Sequence, residues 1–248
     1  MIDLHCHVLP GIDDGASTIE DSVAIARAAA LAGTRTIVAT PHVSRRYPNG
    51  SQTIGRLVAQ LNARLSAESV DVHVLAGAEV ALTHAVDVDD AELAHLRLGG
   101  GPWLLLEPPL TPFASSLDAI LLDFQRRHGR ILLAHPERCP AFHRDPQMLD
   151  SLVRAGVLTS ITAGSLVGRF GGEVRRFALE LAREEMIHNV ASDAHDCERR
   201  GPGMAAELEQ AGLGALADWL TREVPAAIIN GETIPPRPAV PPTRALAV

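Results

Sequence analysis

The stretch "DLHCHVLPGIDD" places His5 and His7 on either side of Cys6, with Asp13 and Asp14 a few residues further on. Alternate side chains of an extended chain share a face, so His5 and His7 point together and Cys6 points away. The habit recurs along the chain. "TIVATPH" ends in His42, "VHVLAGAE" in Glu79, "PWLLLE" in Glu107, "RILLAH" in His135, and "IHNVASDAH" delivers Asp193 and His195. Each is an apolar run that presents imidazoles or carboxylates at its C-terminal end. A lone strand-end histidine is more often a satisfied core or loop residue than a ligand. Six strand ends sharing the habit point to a metal site. Imidazole and carboxylate without thiolate suit Mn, Fe, Zn or Mg rather than structural zinc, and bridging carboxylates allow two or three ions.

The rest of the chain has to bring those ends together. Between the apolar runs lie helical patterns. "STIEDSVAIARAAALAG" offers Ser17 as N-cap with Glu20 three residues on and Gly33 to close it. "TIGRLVAQLNARL" carries Ile54, Leu57, Val58, Leu61 and Leu65 at helical spacing. "VDDAELAHLRL", "SSLDAILLDFQRRHG", "PQMLDSLVRAG" and "GEVRRFALELAREE" read as helices too. Counting "VLTSIT", seven strands result, each followed by a helix, which predicts a parallel sheet with helical crossovers, open or closed into a barrel. In a parallel βα barrel the C-terminal strand ends converge on one face, where active sites lie. Residues 1–232 read as one domain. The segment 233–248, "TIPPRPAVPPTRALAV", holds five prolines and reads as a mobile or surface-lying tail.

Composition narrows the functions available. With 248 residues, 46% of them hydrophobic, the chain can bury a sizeable core, but only 3% are aromatic, so Ala, Leu and Val must build it. The net charge of −8 with scattered basic residues argues against a nucleic-acid surface. All 22 basic residues are arginine. The absence of lysine excludes Schiff-base chemistry, a phosphate-loop lysine and a carboxylated-lysine metal bridge, leaving anions to Arg, backbone N–H groups or metals. Three cysteines in so long a chain argue against a disulfide framework. No leader-like segment and no membrane-length apolar run is visible, so a cytoplasmic protein that does not span the membrane is expected.

The segments "MIDLHCHVLPGIDDGA", "TIVATPH", "LLLE", "LLAHPER", "TAGSL", "ASDAH" and "RRGPGM" together resemble the PHP (polymerase and histidinol phosphatase) superfamily. Within it they resemble the CpsB/CapC-like branch of bacterial capsule and exopolysaccharide tyrosine-protein phosphatases. The resemblance implies a distorted (β/α)7 barrel, a PHP-type metallophosphatase domain over 1–232, and three metals, usually Mn2+. One ion would take His5, His7, Glu79 and Asp193; a second Glu79, Glu107 and His135; a third Asp14, His42 and His195. Asp13 stays the rival to Asp14, with the alternative task of orienting a histidine. Arg138 of "HPER" and Arg200 of "RRG" match phosphate-contacting arginines. The implied partner is a phosphotyrosine protein, a membrane-associated tyrosine autokinase, and a homo-oligomer is compatible with this reading. Val43 and Ala81 depart from the family pattern around the substrate mouth.

The implied chemistry is in-line attack on phosphorus by a water bridging the metals, with no covalent intermediate. A cysteine phosphatase is excluded by spacing, because Ile12, Asp145 and Gly203 stand where Cys-x5-Arg would need arginine. "DVDDA" from Asp87 reads as an acidic first helical turn rather than an aspartyl-phosphate motif. "GSLVGRFGG" has loop glycines but no Gly-Lys-Ser/Thr, so it does not read as a nucleotide cradle. Two alternatives remain: hydrolysis of a small phosphomonoester such as histidinol phosphate, and a metal-stabilised interaction module without catalysis. His73, His84, His95, His128, His143 and His188 read as structural or surface residues.

Overall fold

The computed structural model describes residues 1–111 and 116–239. Residues 112–115, including the first serine of the "SSLDAILLDFQRRHG" pattern, and residues 240–248 of the proline-rich tail lie outside the described residues. Among those described are nine strands, every pairing parallel: β1 (Ile2–Cys6), β2 (Thr36–Ala39), β3 (His42–Val43), β4 (His73–Ala76), β5 (Glu79–Ala81), β6 (Trp103–Glu107), β7 (Arg130–Ala134), β8 (Leu158–Thr162) and β9 (Asn189–Ala191). They form a three-stranded sheet in the order β1-β2-β4 and a six-stranded sheet in the order β3-β5-β6-β7-β8-β9.

The seven expected strands become nine because two are interrupted. "TIVATPH" breaks between β2 and β3 at Pro41, which has no N–H to give a ladder. "VHVLAGAE" breaks between β4 and β5 at Gly77, where an added Cβ would lie 2.7 Å from Val38 Cγ1, so the glycine leaves room for the Val38 side chain. The interruption is stitched across by Glu79 N–H donating to Pro41 C=O at 3.1 Å. The segment after β9 returns to β1: Asp193 N–H donates to His5 C=O at 2.8 Å and His7 N–H to Ala194 C=O at 2.9 Å. Parallel strands need crossovers, and the helices Ile19–Leu31, Ser51–Ala67, Leu117–His128, Pro146–Arg154 and Gly172–Arg183 supply most of them. Leu4, Ile37, Val38, Leu105, Leu132, Ile161 and Val190 from the strands lie in the buried core with Ile25, Leu61, Phe124 and Leu152 from the helices.

The first helix begins one residue later than its sequence pattern predicts. Thr18, not Ser17, is the N-cap: its hydroxyl accepts from Asp21 N–H at 3.2 Å, and the Asp21 carboxylate accepts from Thr18 N–H at 2.9 Å. The reason lies upstream. Ala16 donates to His7 C=O and accepts from Gly11 N–H, so the chain is still held in the loop when the helix would have started at Ser17. At the other end, Trp219 Nε1–H donates to Pro235 C=O at 3.1 Å and Ile234 packs against the core, which lays the start of the proline-rich segment along the body.

Asp3 secures the return of the chain to β1. It is fully buried; Oδ1 accepts from Ser192 N–H at 3.0 Å and His5 N–H at 3.3 Å, and Oδ2 accepts from the Ser192 hydroxyl at 2.5 Å. Burial pushes its carboxyl up, against the pull of the Ser192 bonds. Removing the carboxylate strands a buried N–H and a hydroxyl, so Asp3→Ala should cost about 2–4 kcal/mol. Urea unfolding should show this as a lower midpoint at unchanged slope, in chelator as well as in metal. A loss below about 1 kcal/mol would show that water replaces the carboxylate at no great cost.

Candidate metal centre

All nine residues expected as ligands gather in one cluster, but the expectation that each closes its strand fails for two of them: His42 and Glu79 open β3 and β5, just past the interruptions. His5 and His7 come from β1 and the residue after it, His42 from β3, Glu79 from β5, Glu107 from β6, His135 from the end of β7, and Asp193 and His195 from the segment after β9. His5, His7, Glu79, His135 and Asp193 form a floor at most 2% exposed. His195 is buried beside it, while His42, Glu107 and Asp14 stand toward the mouth, Asp14 nearly half exposed. Two residues hold backbone conformations rare for anything but glycine: His135 at φ +29° and Asp193 at φ +51°. Strain of order 1–3 kcal/mol at each is the usual signature of a side chain aimed by its surroundings.

Four groups bring ligand atoms within 4.8 Å of one another: His7–Asp14–His42–His195, His5–His7–Asp193, His5–Glu79–His135 and His42–Glu79–Glu107. Glu79 is the hub. Its Oε1 lies 2.7 Å from His135 Nε2, and its Oε2 lies 3.3, 3.4 and 2.9 Å from ring nitrogens of His5, His7 and His42. Asp193 Oδ1 lies 3.5 and 3.4 Å from the same His5 and His7 nitrogens. Asp14 Oδ1 sits 3.4 Å from His42 Nε2 and 3.5 Å from His195 Nε2, whereas Glu107 is looser, 3.9 Å from His135 Nε2.

The donor set fits divalent cations. His5 Nε2 and His7 Nε2 face each other at 3.2 Å, although a neutral imidazole pair has lone pairs to place there. Despite three ring nitrogens around it, Glu79 Oε2 has no aligned hydrogen bond, and His135 Nδ1 and His195 Nε2 are buried without one. Buried atoms left without partners are what a site shaped around bound ions presents. Charges are correspondingly displaced. Burial would raise the carboxyls of Glu79 and Asp193, but the surrounding histidines, with Arg200 at Asp193, hold both well below the ordinary range. Burial and the Glu79 charge push Glu107 up to about 7. Burial, then Arg138, pushes His135 down to about 4.

The choice between Asp13 and Asp14 is visible in the hydrogen bonds. Asp13 Oδ2 pairs with His7 Nδ1 at 2.8 Å and accepts from His42 N–H at 3.0 Å, while Oδ1 accepts from Gly15 N–H at 2.9 Å. Asp13 thus orients His7, and Asp14 faces the other imidazoles. Gly15 is required in that loop, since a Cβ there would come within 2.2 Å of His7 C=O.

Arg138 and Arg200 reach the same rim from different segments and meet on one atom: Nη1 of Arg138 and Nη2 of Arg200 donate to Asp193 Oδ2 at 2.8 and 2.6 Å. The sequence reading singled out "HPER" for its arginine and missed Glu137. That carboxyl is fully buried and accepts from Thr162 N–H at 3.0 Å and the Ser165 hydroxyl at 2.7 Å, tying "HPER" to "TAGSL". Co-occurrence of the two motifs was the only available signal. None of the cysteines has a thiol shifted toward the thiolate: burial pushes Cys6 and Cys139 up, and burial with Asp196 and Asp21 does the same to Cys197.

Because Glu107 holds its proton below about pH 7, ligation must expel it there, while above that pH it is already ionised. Divalent-metal affinity should therefore rise with pH through about 7, and His7 and His42, whose neighbouring carboxylates hold their protons past the usual imidazole range despite burial, should extend the rise above it. Calorimetric titration at pH 6 in two buffers of different ionisation enthalpy should show proton release that is smaller at pH 8. Identical heats in both buffers at pH 6 would contradict it.

Comparison with known proteins agrees with this geometry. Tyrosine-protein phosphatase YwqE of Bacillus subtilis is 36% identical over 244 residues, 96% of each chain. The CapC protein of Staphylococcus aureus is 28% identical, covering 84% of this chain and 82% of its own. A crystal structure from a study of YwqE of Bacillus subtilis and CpsB of Streptococcus pneumoniae, described as metal-dependent tyrosine phosphatases, matches 97% of this chain with a TM-score of 0.85 and 35% identity. Residues 1–212 match the family described as capsular polysaccharide synthesis, CpsB/CapC, and the chain belongs to that family.

Proposed function

We propose that this chain is a metal-dependent protein-tyrosine phosphatase of capsule or exopolysaccharide synthesis, using two to three Mn2+ ions held by the nine residues above. Its substrate in this reading is phosphotyrosine on a membrane-associated tyrosine autokinase met from the cytoplasm. One observation carries the proposal: Asp193 turns Oδ1 to the imidazoles of His5 and His7 and Oδ2 to Arg138 and Arg200. The metal-type donors and the anion-gripping donors share a carboxylate, so a phosphoryl group meeting one set meets the other. Among the described residues no helix is long and apolar enough to cross a membrane. The family and the names of its relatives support the chemistry and the process.

The pairings also support a distorted seven-stranded βα barrel. Taking β2 with β3 and β4 with β5 as single interrupted strands, each strand pairs with the next, and the segment after β9 returns to β1. Residues 1–232 then form the catalytic domain, with 233–248 as its appended tail.

Bound divalent metals supply Lewis acidity, which makes water nucleophilic near neutral pH and neutralises phosphoryl charge. The protein's own residues do the rest. Asp13 fixes the His7 ring, Glu79 and Asp193 set the positions of the imidazoles, and Arg138 and Arg200 offer guanidinium donors to the phosphoryl oxygens. Among the described residues, no side chain outside the ligand set stands ready as a strong acid for an alkoxide. A phenolate of pKa about 10 leaves with less proton help.

Phosphotyrosine peptides should therefore be hydrolysed well ahead of phosphoserine peptides and histidinol phosphate. Arg138→Ala and Arg200→Ala should each lower kcat/KM by about 2–4 kcal/mol of transition-state stabilisation. Equal rates on tyrosine and serine esters, or preference for histidinol phosphate, would overturn the assignment. Replacing Cys6, Cys139 and Cys197 together should keep most of the activity in the same assay, whereas Glu107→Ala should abolish it. A lethal cysteine change would replace the metal mechanism with a thiolate one.

A further inference from the structure

The glycine-bearing stretch "GSLVGRFGG" has no place in the chemistry described so far. It forms the short helix Ala163–Leu166 and the turn that follows. Gly168 and Gly171, at φ +88° and +96°, bracket Arg169 and Phe170. The turn is closed by Gly171 N–H donating to Gly168 C=O at 3.0 Å and Arg169 N–H to Gly164 C=O at 2.9 Å. From outside, Arg169 pairs with Glu207 at 3.1 Å. This loop is fastened on both sides, and what it presents is one aromatic ring.

The Phe170 ring faces both rim arginines. Arg138 Cζ lies 4.7 Å from its centroid and Arg200 Cζ 5.7 Å, within the range in which a ring quadrupole attracts a guanidinium. Those two cations need help. They come from different segments, repel each other, and share a single oxygen, Asp193 Oδ2. Asp193 is at the same time drawn toward the imidazoles through its other oxygen. Arg200 Nε–H is moreover buried without a hydrogen-bond partner.

We propose that Phe170 is a positioning residue that holds the Arg138 and Arg200 guanidiniums side by side, so that a phosphoryl group engages both at once. The inference rests on the phosphatase reading for its relevance to turnover. Orthophosphate binding tests it separately.

The experiment compares wild type, Phe170→Leu and Phe170→Tyr in the Mn2+-loaded full chain. It measures orthophosphate affinity by calorimetry, kcat/KM on a phosphotyrosine peptide, and the thermal midpoint. Phe170→Leu should weaken orthophosphate binding and lower kcat/KM by roughly tenfold each, and Phe170→Tyr, which restores the ring face, should recover most of both. In an Arg138→Ala/Arg200→Ala background the Leu change should have almost no further effect on orthophosphate affinity. Three results would overturn the inference: unchanged orthophosphate affinity in Phe170→Leu with only peptide turnover impaired, which would place the ring against the leaving group; an undiminished Leu effect without the arginines; or a Tyr variant no better than Leu at equal thermal stability. If wild type binds orthophosphate but hydrolyses no phosphotyrosine, the phosphatase reading fails while the binding comparison still decides the role of Phe170.

Discussion

His5 and His7 hold their Nε2 atoms 3.2 Å apart inside the protein, with the carboxylates of Glu79 and Asp193 against both. Imidazole lone pairs and ionised carboxylates do not gather in a desolvated space on their own account, because each charge removed from water costs several kcal/mol. Positive charge must lie among them, as protons or as cations. Protons satisfy only part of the set: His135 is pushed down to about 4 and stays neutral at pH 7. The cluster is thus suited to cations, and strands with the turns that follow them hold it where backbone hydrogen bonds resist its relaxation.

A second tier of polar residues keeps the first in place. Asp13 fixes His7 and the backbone of His42; Asp3 joins the start of β1 to Ser192, one residue before Asp193; Glu137 joins the turn after His135 to Thr162 and Ser165. Each of these carboxylates accepts a hydrogen bond from a chain segment distant in sequence: Asp13 from His42, Asp3 from Ser192, Glu137 from Thr162 and Ser165. That is why "DLHCH", "HPER", "TAGSL" and "ASDAH" belong together: they are tied side chain to backbone, not only gathered around a common centre. The unusual backbone of His135 and Asp193 is affordable because these ties surround it.

Much of the site was legible because strand alternation and strand-end position are local properties. Two histidines at i and i+2 share a face in any strand, Asp193 and His195 repeat the spacing, and apolar runs lead into His42, Glu79, Glu107 and His135. What escaped depends on a neighbour distant in sequence. Gly77 looks like an ordinary strand glycine until Val38 is seen packed where its Cβ would be. Ser17 and Thr18 both head plausible capping boxes, and the choice falls to Ala16, which the His7 and Gly11 backbones hold out of the helix. Asp13 and Asp14 are identical by type, and only the direction of the loop at Gly15 separates them. Glu137 and Phe170 sit inside quoted motifs, yet their partners lie on other elements.

The rim differs from the floor in exposure, and that difference explains the residue types. Imidazoles and carboxylates at the floor are buried and directional. Arg138 and Arg200, with side chains 19% and 27% exposed, keep contact with solvent while sharing Asp193. An ammonium in that position would be a compact, strongly hydrated charge with no planar face to lay on an aromatic ring. A guanidinium keeps its charge at any working pH, spreads it over a plane, and divides its donors between Asp193 and an incoming anion. Arginine alone lets one side chain pair with a buried carboxylate, pack on Phe170 and still have N–H groups to offer. In a chain whose basic residues are all arginine, the pairing with Asp193 and the packing on Phe170 fix how those two planes are held.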